Sequence, residues 1–369
     1  MLERLYIHNF RCLENFELNL KNMHSALLIG KNGTGKSTIG VALEILQSIG
    51  RGINKIGDLL QPNDFSRDRS DVPIRFEIEV TINDALYQYI IALELPENFK
   101  ELRILEEKLT VSGESIYSRK EAVVSLFSKQ NKNETNFMVD WHLIALPVIQ
   151  NRSEDDPLHI FKTWLAHMII LSPIPVFMNG ESKGETLEPK RDGSNCGEWF
   201  TGLLSQYPAA YTYIDQYLKD IMPDLKDFRN EIVGKNFKVM SVRFQEKSSN
   251  VNIYFNDLSD GEKCFFLCAV VLAANQSYGP LFCFWDEPDN YLSLSEIGHF
   301  TASLRRSFEQ NGQFLATSHN SETIRKFSNE NTFVIHRKNH LEPALSRLLS
   351  DISFNGDLID SLIRGDIEL

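Results

Sequence analysis

The chain is poor in the residues that mark several protein classes. Its 5 cysteines fall at positions 12, 196, 264, 268 and 283, and no two have C-x-x-C spacing. An odd count without paired spacing excludes a disulfide scaffold and a zinc ribbon, and fits a reducing compartment. An excess of positive charge is missing as well. Lys plus Arg is 38 against 50 for Asp plus Glu, a net charge of −12. Any nucleic-acid surface must therefore be local, because the net field repels phosphate. One stretch, from Cys264 to Trp285, carries no charge, but Asn275-Gln276-Ser277-Tyr278-Gly279-Pro280 divides it. The pieces are too short for a bilayer span of ~20 residues. The N-terminus, Met-Leu-Glu-Arg-Leu-Tyr-Ile-His, is too charged and too short in apolar residues for a signal peptide. The expectation is a soluble, cytoplasmic protein with no membrane partner. Sustained heptads, internal repeats and low-complexity tracts are also lacking, which excludes solenoids and coiled-coil arms. What remains is ordinary: 369 residues, 42% hydrophobic and 24% charged, enough for two or three modules.

Periodicity divides the chain into three stretches. Near the N-terminus, Leu5-Tyr6-Ile7, Phe16-Glu17-Leu18-Asn19-Leu20 and Ala26-Leu27-Leu28-Ile29 read as strands. A Gly-rich turn follows, then helical spacing through Ile39, Ala42, Leu43 and Leu46. Residues 51–72 read as a long loop. Residues 74–80, 87–95 and 105–111 alternate as antiparallel strands. The middle reads as mostly helical, with helices at 160–168 and 196–225 and strand-like runs at 237–244 and 251–255. The last third alternates: helix 261–274, strand 281–285, helix 295–310, strand 313–317, helix 321–326 and strand 332–336. That is the pattern of a parallel sheet with crossover helices.

Four elements carry chemistry. Gly30-Lys31-Asn32-Gly33-Thr34-Gly35-Lys36-Ser37 fits G-x-x-x-x-G-K-[ST], after a buried strand and at the start of a helix. Its glycines let successive N–H groups turn toward phosphate oxygens, and the helix N-terminus adds positive potential. Lys36 can reach the β and γ phosphates, and Ser37 can ligate Mg²⁺. The strand Leu281-Phe282-Cys283-Phe284-Trp285 ends in Asp286-Glu287. An Asp there can hold Mg²⁺ and a following Glu can take a proton from water. The bare alternative is an acidic turn after a core strand. Ser259-Asp260-Gly261-Glu262 precedes a helix, and by itself it is also the pattern of a capping box. His319 ends the strand that holds Phe314-Leu315-Ala316-Thr317, one β-α-β unit after Glu287, on the sheet edge where ligands bind. A histidine there can equally be structural.

These elements, in this order, resemble the ABC-type ATPases. The opening Ile7-His8-Asn9-Phe10-Arg11, Arg191-Asp192-Gly193-Ser194-Asn195, Leu258-Ser259-Asp260-Gly261-Glu262 and Asp286-Glu287-Pro288 are similar to the RecF/SMC/OLD branch of DNA-repair and defence ATPases, Septu-type ATPases among them. The resemblance covers about residues 1–340. It implies an α/β fold: an ABC-type P-loop ATPase head, its mixed sheet joined to an antiparallel β block and an inserted, mainly helical lobe. The expected division is lobe I at 1–125 and 276–369, with lobe II inserted at 126–275. It further implies ATP and Mg²⁺ as cofactors. Gly30, Lys31, Asn32, Gly33, Thr34, Gly35, Lys36, Ser37 and Thr38 would bind the nucleotide, with Arg11 from the N-terminal strand. Ser37 and Asp286 would hold Mg²⁺, Glu287 would be the general base, and His319 would sense the γ-phosphate. Ser259 and Gly261 would reach the ATP of a second subunit, since two heads of this kind sandwich two ATPs.

The departures from the family are specific. Ser293 stands where many ABC ATPases have Asp, and the family's Mg²⁺-associated glutamine has only Gln61 as a weak candidate. Between Lys36 and Ser259 no heptads support an SMC-type arm. The 50 residues after His319 are too few for the nuclease domain of OLD proteins. The leading expectation is an ATP-driven dimerisation switch, a homodimer or larger, acting in phage defence or DNA repair. It would grip DNA or control a separately encoded nuclease or toxin. The alternative is a nucleotide-binding subunit of a membrane transporter. Two basic clusters are candidate DNA contacts: Arg119, Lys120, Lys129 and Lys132, then Lys226, Arg229, Lys235, Lys238, Arg243 and Lys247. Solvated surface is the plain alternative for both. The acidic pairs Glu77/Glu79 and Asp155/Asp156 read as solvated faces.

Overall fold

A computed structural model describes residues 1–127, 135–234 and 237–353. The chain forms two compact units. The first comprises residues 1–23, 28–168 and 332–369, and the second residues 24–27 and 169–331.

Among the described residues of the first unit, eight strands form one antiparallel sheet. Their spatial order is Phe16–Asn19, Leu2–His8, Ile74–Ile82, Ala85–Glu94, Arg103–Val111, Glu114–Lys120, Val123–Leu126 and Thr135–Met138. The expected block at 74–111 is its centre. Ile74, Phe76, Ile78 and Val80 are buried on one face of their strand, as period-two alternation requires. Asn83-Asp84 turns tightly into the next strand with both residues at positive φ, 48 and 61. That is the two-residue hairpin turn that suits the twist of the sheet. Of the three last strands Glu114–Lys120 is largely polar and the other two have only four residues each, so alternation alone does not reveal them.

The helix Lys36–Gly50 packs Ile39, Leu43, Leu46 and Ile49 inward. Gly50 lets it cross the helix Pro157–His167 closely, since a Cβ there would lie 2.5 Å from that of Leu165. The end of the strand Ser25–Ile29 has Thr332–His336 beside it, and Leu345–Leu348 pairs antiparallel to the latter.

In the second unit Ile169–Leu171, Phe282–Trp285 and Gln313–Thr317 run parallel, followed by the first residues of the strand Ser25–Ile29. All four residues of Phe282–Trp285 are buried, which explains a continuous apolar run instead of alternation. The helix Asp260–Tyr278 is buried nearly all round, from Lys263 to Asn275. It is a core helix, and no helix among the described residues is long and apolar enough to cross a membrane.

A small antiparallel sheet completes this unit. Phe237–Glu246 is flanked on one side by Leu225–Val233 and on the other by Glu181–Ser182 and Ser249–Tyr254. Leu225–Val233 is missing from the sequence expectation for a clear reason. Its inward residues, Leu225 and Phe228, are three apart, and a register shift between Leu225 and Asp227 brings both to one face. The bulge erases the period-two signal.

Candidate functional site

In the first unit the phosphate-loop motif curls as its sequence demands. Gly30, Gly33 and Gly35 have φ of 152, 77 and 102. A Cβ on Gly30 would lie 2.1 Å from the Ile335 carbonyl oxygen, and one on Gly35 would lie 2.7 Å from Cys12 Sγ. Both positions therefore require glycine. Lys36 folds back into the curl, where Nζ donates to the carbonyls of Gly30 at 2.8 Å and Lys31 at 3.1 Å. Thr34 Oγ1 donates to the Lys31 carbonyl at 2.8 Å. Lys31, Asn32, Gly33 and Ser37 are exposed, and Thr38 is half-buried with Oγ1 3.8 Å from Cys12 Sγ. Gly35 precedes the helix that begins at Lys36. Exposed N–H groups of a helix start beside a lysine suit a polyphosphate. The oxygen of Ser37 is a hard donor of the kind Mg²⁺ takes, with most of its remaining ligands from phosphate and water.

Arg11 sits in a turn next to this loop. Its Nε pairs with Asp64 Oδ1 at 2.9 Å, its backbone N–H donates to the Asp64 carbonyl at 2.7 Å, and its guanidinium lies over the Phe10 ring. Asp64 in turn accepts from the Gln61 N–H at 2.9 Å. The Gln61 amide is committed to the Gly57 carbonyl at 2.6 Å.

In the second unit the two acids and the histidine come together at the ends of parallel strands. Asp286 is buried, and Thr317 Oγ1 donates to its Oδ1 at 2.6 Å. The same hydroxyl accepts the Glu287 N–H at 2.9 Å. Ser172 Oγ lies 3.4 Å from Asp286 Oδ2. Glu287 has φ of 50, an unusual conformation for a residue with a side chain. Its Oε1 is 3.3 Å from His319 Nε2, and its Oε2 accepts from the Asn290 amide. Asp289 is buried and accepts from Ser318 at 2.6 Å and from Thr323. These hydroxyls join the segment after Trp285 to the segment after Thr317.

Thr317, Ser318, Ser172 and Asp289 escaped the sequence reading. The available signal was the polar Thr317-Ser318 end of a buried strand, 30 residues from the acids it holds.

Ser259 caps the helix Asp260–Tyr278. Its N–H and hydroxyl both donate to Glu262 Oε2, at 2.8 and 2.6 Å, so the capping box is formed. Ser259 and Asp260 remain exposed, and a Cβ on Gly261 would lie 3.1 Å from the Tyr291 carbonyl oxygen.

The comparisons with known proteins agree with this fold. A family model described as an AAA ATPase domain matches residues 1–147. A second, described as an AAA domain, putative AbiEii toxin, type IV TA system, matches residues 181–325. No curated protein sequence matches the chain. An Smc head solved with the C-winged helix domain of ScpA is 14% identical, with a TM-score of 0.54 over 95% of this chain and 99% of that one. A Pyrococcus furiosus Smc head with an extended coiled coil, bound to the C-terminal domain of ScpA, is 12% identical. Its TM-score is 0.50 over 95% of this chain and 97% of that one. The chain has the fold of an ABC-type P-loop ATPase head. Its longest helix among the described residues has 19 residues, so the described part of this head carries no coiled-coil arm.

The remaining candidates of the head lie elsewhere. Arg119 is not surface: it is buried 3.8 Å from the buried Glu107, with its guanidinium on backbone carbonyls of 121, 140 and 143. In the other basic cluster Arg229 and Arg243 share Asp227, and Lys238 pairs with Glu185. Lys129, Lys132 and Lys235 lie outside the described residues. Glu77 and Glu79 are paired with Arg4, and Asp156 caps the helix Pro157–His167. Those acids hold structure together.

Proposed function

We propose that this head is an ATP-driven dimerisation switch controlling a partner effector. The observation that carries the reading is the acid pair of the second unit, Asp286 fixed by Thr317 and Glu287 set against His319, in a chain with a complete phosphate loop. Lys36 and the loop N–H groups hold the phosphates of ATP. Ser37 and Asp286 would each offer an oxygen to Mg²⁺, an ion that when bound neutralises phosphate charge. Glu287 takes the proton of the attacking water. His319 keeps the carboxylate oriented and answers to the terminal phosphate. Ser259, exposed at a helix start, and the half-buried Gly261 beside it serve the ATP of a second copy.

The type IV toxin–antitoxin description of the second family model supports a defence role over DNA repair; the effector we propose is a separately encoded toxin or nuclease. A partner protein is favoured over DNA because Arg229, Arg243 and Lys238 already have acidic partners.

The test is the native mass of Glu287→Gln with and without Mg-ATP, beside the ATPase rate of the unaltered protein. The variant should bind ATP, lose turnover and double its mass. A mass unchanged by ATP removes the switch. Unchanged hydrolysis in the variant removes Glu287 as base. Duplex DNA retention that falls steeply with salt would replace the effector by DNA.

A further inference from the structure

The phosphate loop has a neighbour that its motif does not announce. Three of its glycines face the hairpin made by Thr332–His336 and Leu345–Leu348. The positions their Cβ atoms would occupy lie 2.1 Å from the Ile335 carbonyl oxygen, 3.9 Å from His340 Nε2 and 3.7 Å from Ala344 Cβ, at Gly30, Gly33 and Gly35 in turn. The hairpin thus runs alongside the loop, and its turn stands over the tip.

That turn is held from within and from outside. Arg337 donates to the carbonyls of Glu342 at 2.8 Å and His340 at 2.6 Å. Asn339 Oδ1 accepts the Leu341 N–H at 2.8 Å. Arg67 Nη1 donates to the Leu341 carbonyl at 2.5 Å, and the Ala344 N–H donates to the Cys12 carbonyl at 2.9 Å. The backbone of His340 is therefore fixed while its side chain is exposed. Its ring makes no hydrogen bond or ion pair among the described residues. Lys31, Asn32 and Gly33, the part of the loop beneath it, are exposed as well.

We propose that His340 is a nucleotide-binding residue that contacts the terminal phosphate of a nucleoside triphosphate. The inference rests on the reading of the loop as an ATP site. The helix beginning at Lys36 offers its N–H groups to the inner phosphates. The tip at 31–33 is the end of the loop away from that helix, so the imidazole is placed for the outermost group. It adds an N–H donor opposite the curl that holds Lys36. A pinned turn presents that donor at little entropic cost.

The experiment compares His340→Ala and His340→Gln with the unaltered protein and with Lys36→Ala. Dissociation constants for fluorescent ATP and ADP are measured at fixed Mg²⁺, with melting temperature as the control on folding. Loss of one charge-assisted hydrogen bond should weaken ATP by about five- to tenfold in His340→Ala. ADP affinity should stay within about twofold and melting should not change. His340→Gln, which keeps a donor, should recover part of the loss. Unchanged ATP affinity overturns the proposal. An equal loss for ATP and ADP, or a lowered melting temperature, also overturns it, because His340 would then act only by holding the hairpin. If Lys36→Ala binds ATP normally, the loop is not the ATP site and both readings fall. If Lys36→Ala loses ATP and His340→Ala does not, only the present inference falls.

Discussion

Replacing Thr317 by valine tests the link between the two acids. The change keeps the shape and removes one hydroxyl that is fully buried. That hydroxyl donates to Asp286 Oδ1 at 2.6 Å and accepts the Glu287 N–H at 2.9 Å. Valine leaves a buried carboxylate oxygen and a backbone N–H without this partner. A hydrogen bond to a charged group contributes about 1.5–3 kcal/mol and a neutral one about 1 kcal/mol. The sum predicts a loss of about 2.5–4 kcal/mol, read as a shift of the urea midpoint at constant slope. Turnover should fall further than stability implies, because the Glu287 backbone is no longer held at its positive φ, while ATP affinity at the phosphate loop should be kept. Thr317→Ser, which retains the hydroxyl, should restore turnover. If Thr317→Val is as stable and as active as the unaltered protein, the hydroxyl does not organise the acids.

Glu107→Ala should cost about 3–5 kcal/mol, since it removes the acceptor of Tyr89, Tyr117 and the N–H groups of Ala145 and Leu146 and leaves Arg119 buried without its carboxylate. Chemical denaturation checks this, and a loss below about 1 kcal/mol refutes it. Burial, and then the charge of Glu107, push the phenols of Tyr89 and Tyr117 well above their ordinary value. Their folded-state pKa is raised, so the stability they contribute is intact below pH ~10 and is lost as pH rises beyond it. Melting between pH 8 and 11 should show this fall, and a Tyr89→Phe, Tyr117→Phe double variant should flatten it. Gly30→Ala should abolish nucleotide binding, because its Cβ would meet the Ile335 carbonyl oxygen at 2.1 Å. Isothermal titration with ATP measures it, and normal affinity would show that the curl is not needed.

The legible parts of this protein are those whose chemistry lies in consecutive residues. The phosphate loop is one, since its curl is a backbone property of glycines at 30, 33 and 35. The buried strand ending in Asp286-Glu287 is another. The central antiparallel strands showed through alternation, and Leu225–Val233 did not, because its bulge breaks the period. Arg119 and Glu107 mark the limit most clearly. One was read as surface charge and the other drew no notice, yet they are buried together.

By itself the sequence determined the core strands and the phosphate-loop, acid-pair and histidine candidates, because short-range spacing encodes each. Only the tertiary structure decided which hydroxyls hold Asp286 and Asp289, that Arg11 is tied to Asp64, and that His340 stands over Gly33. Those relations join residues far apart in the chain, and packing rather than local propensity selects them.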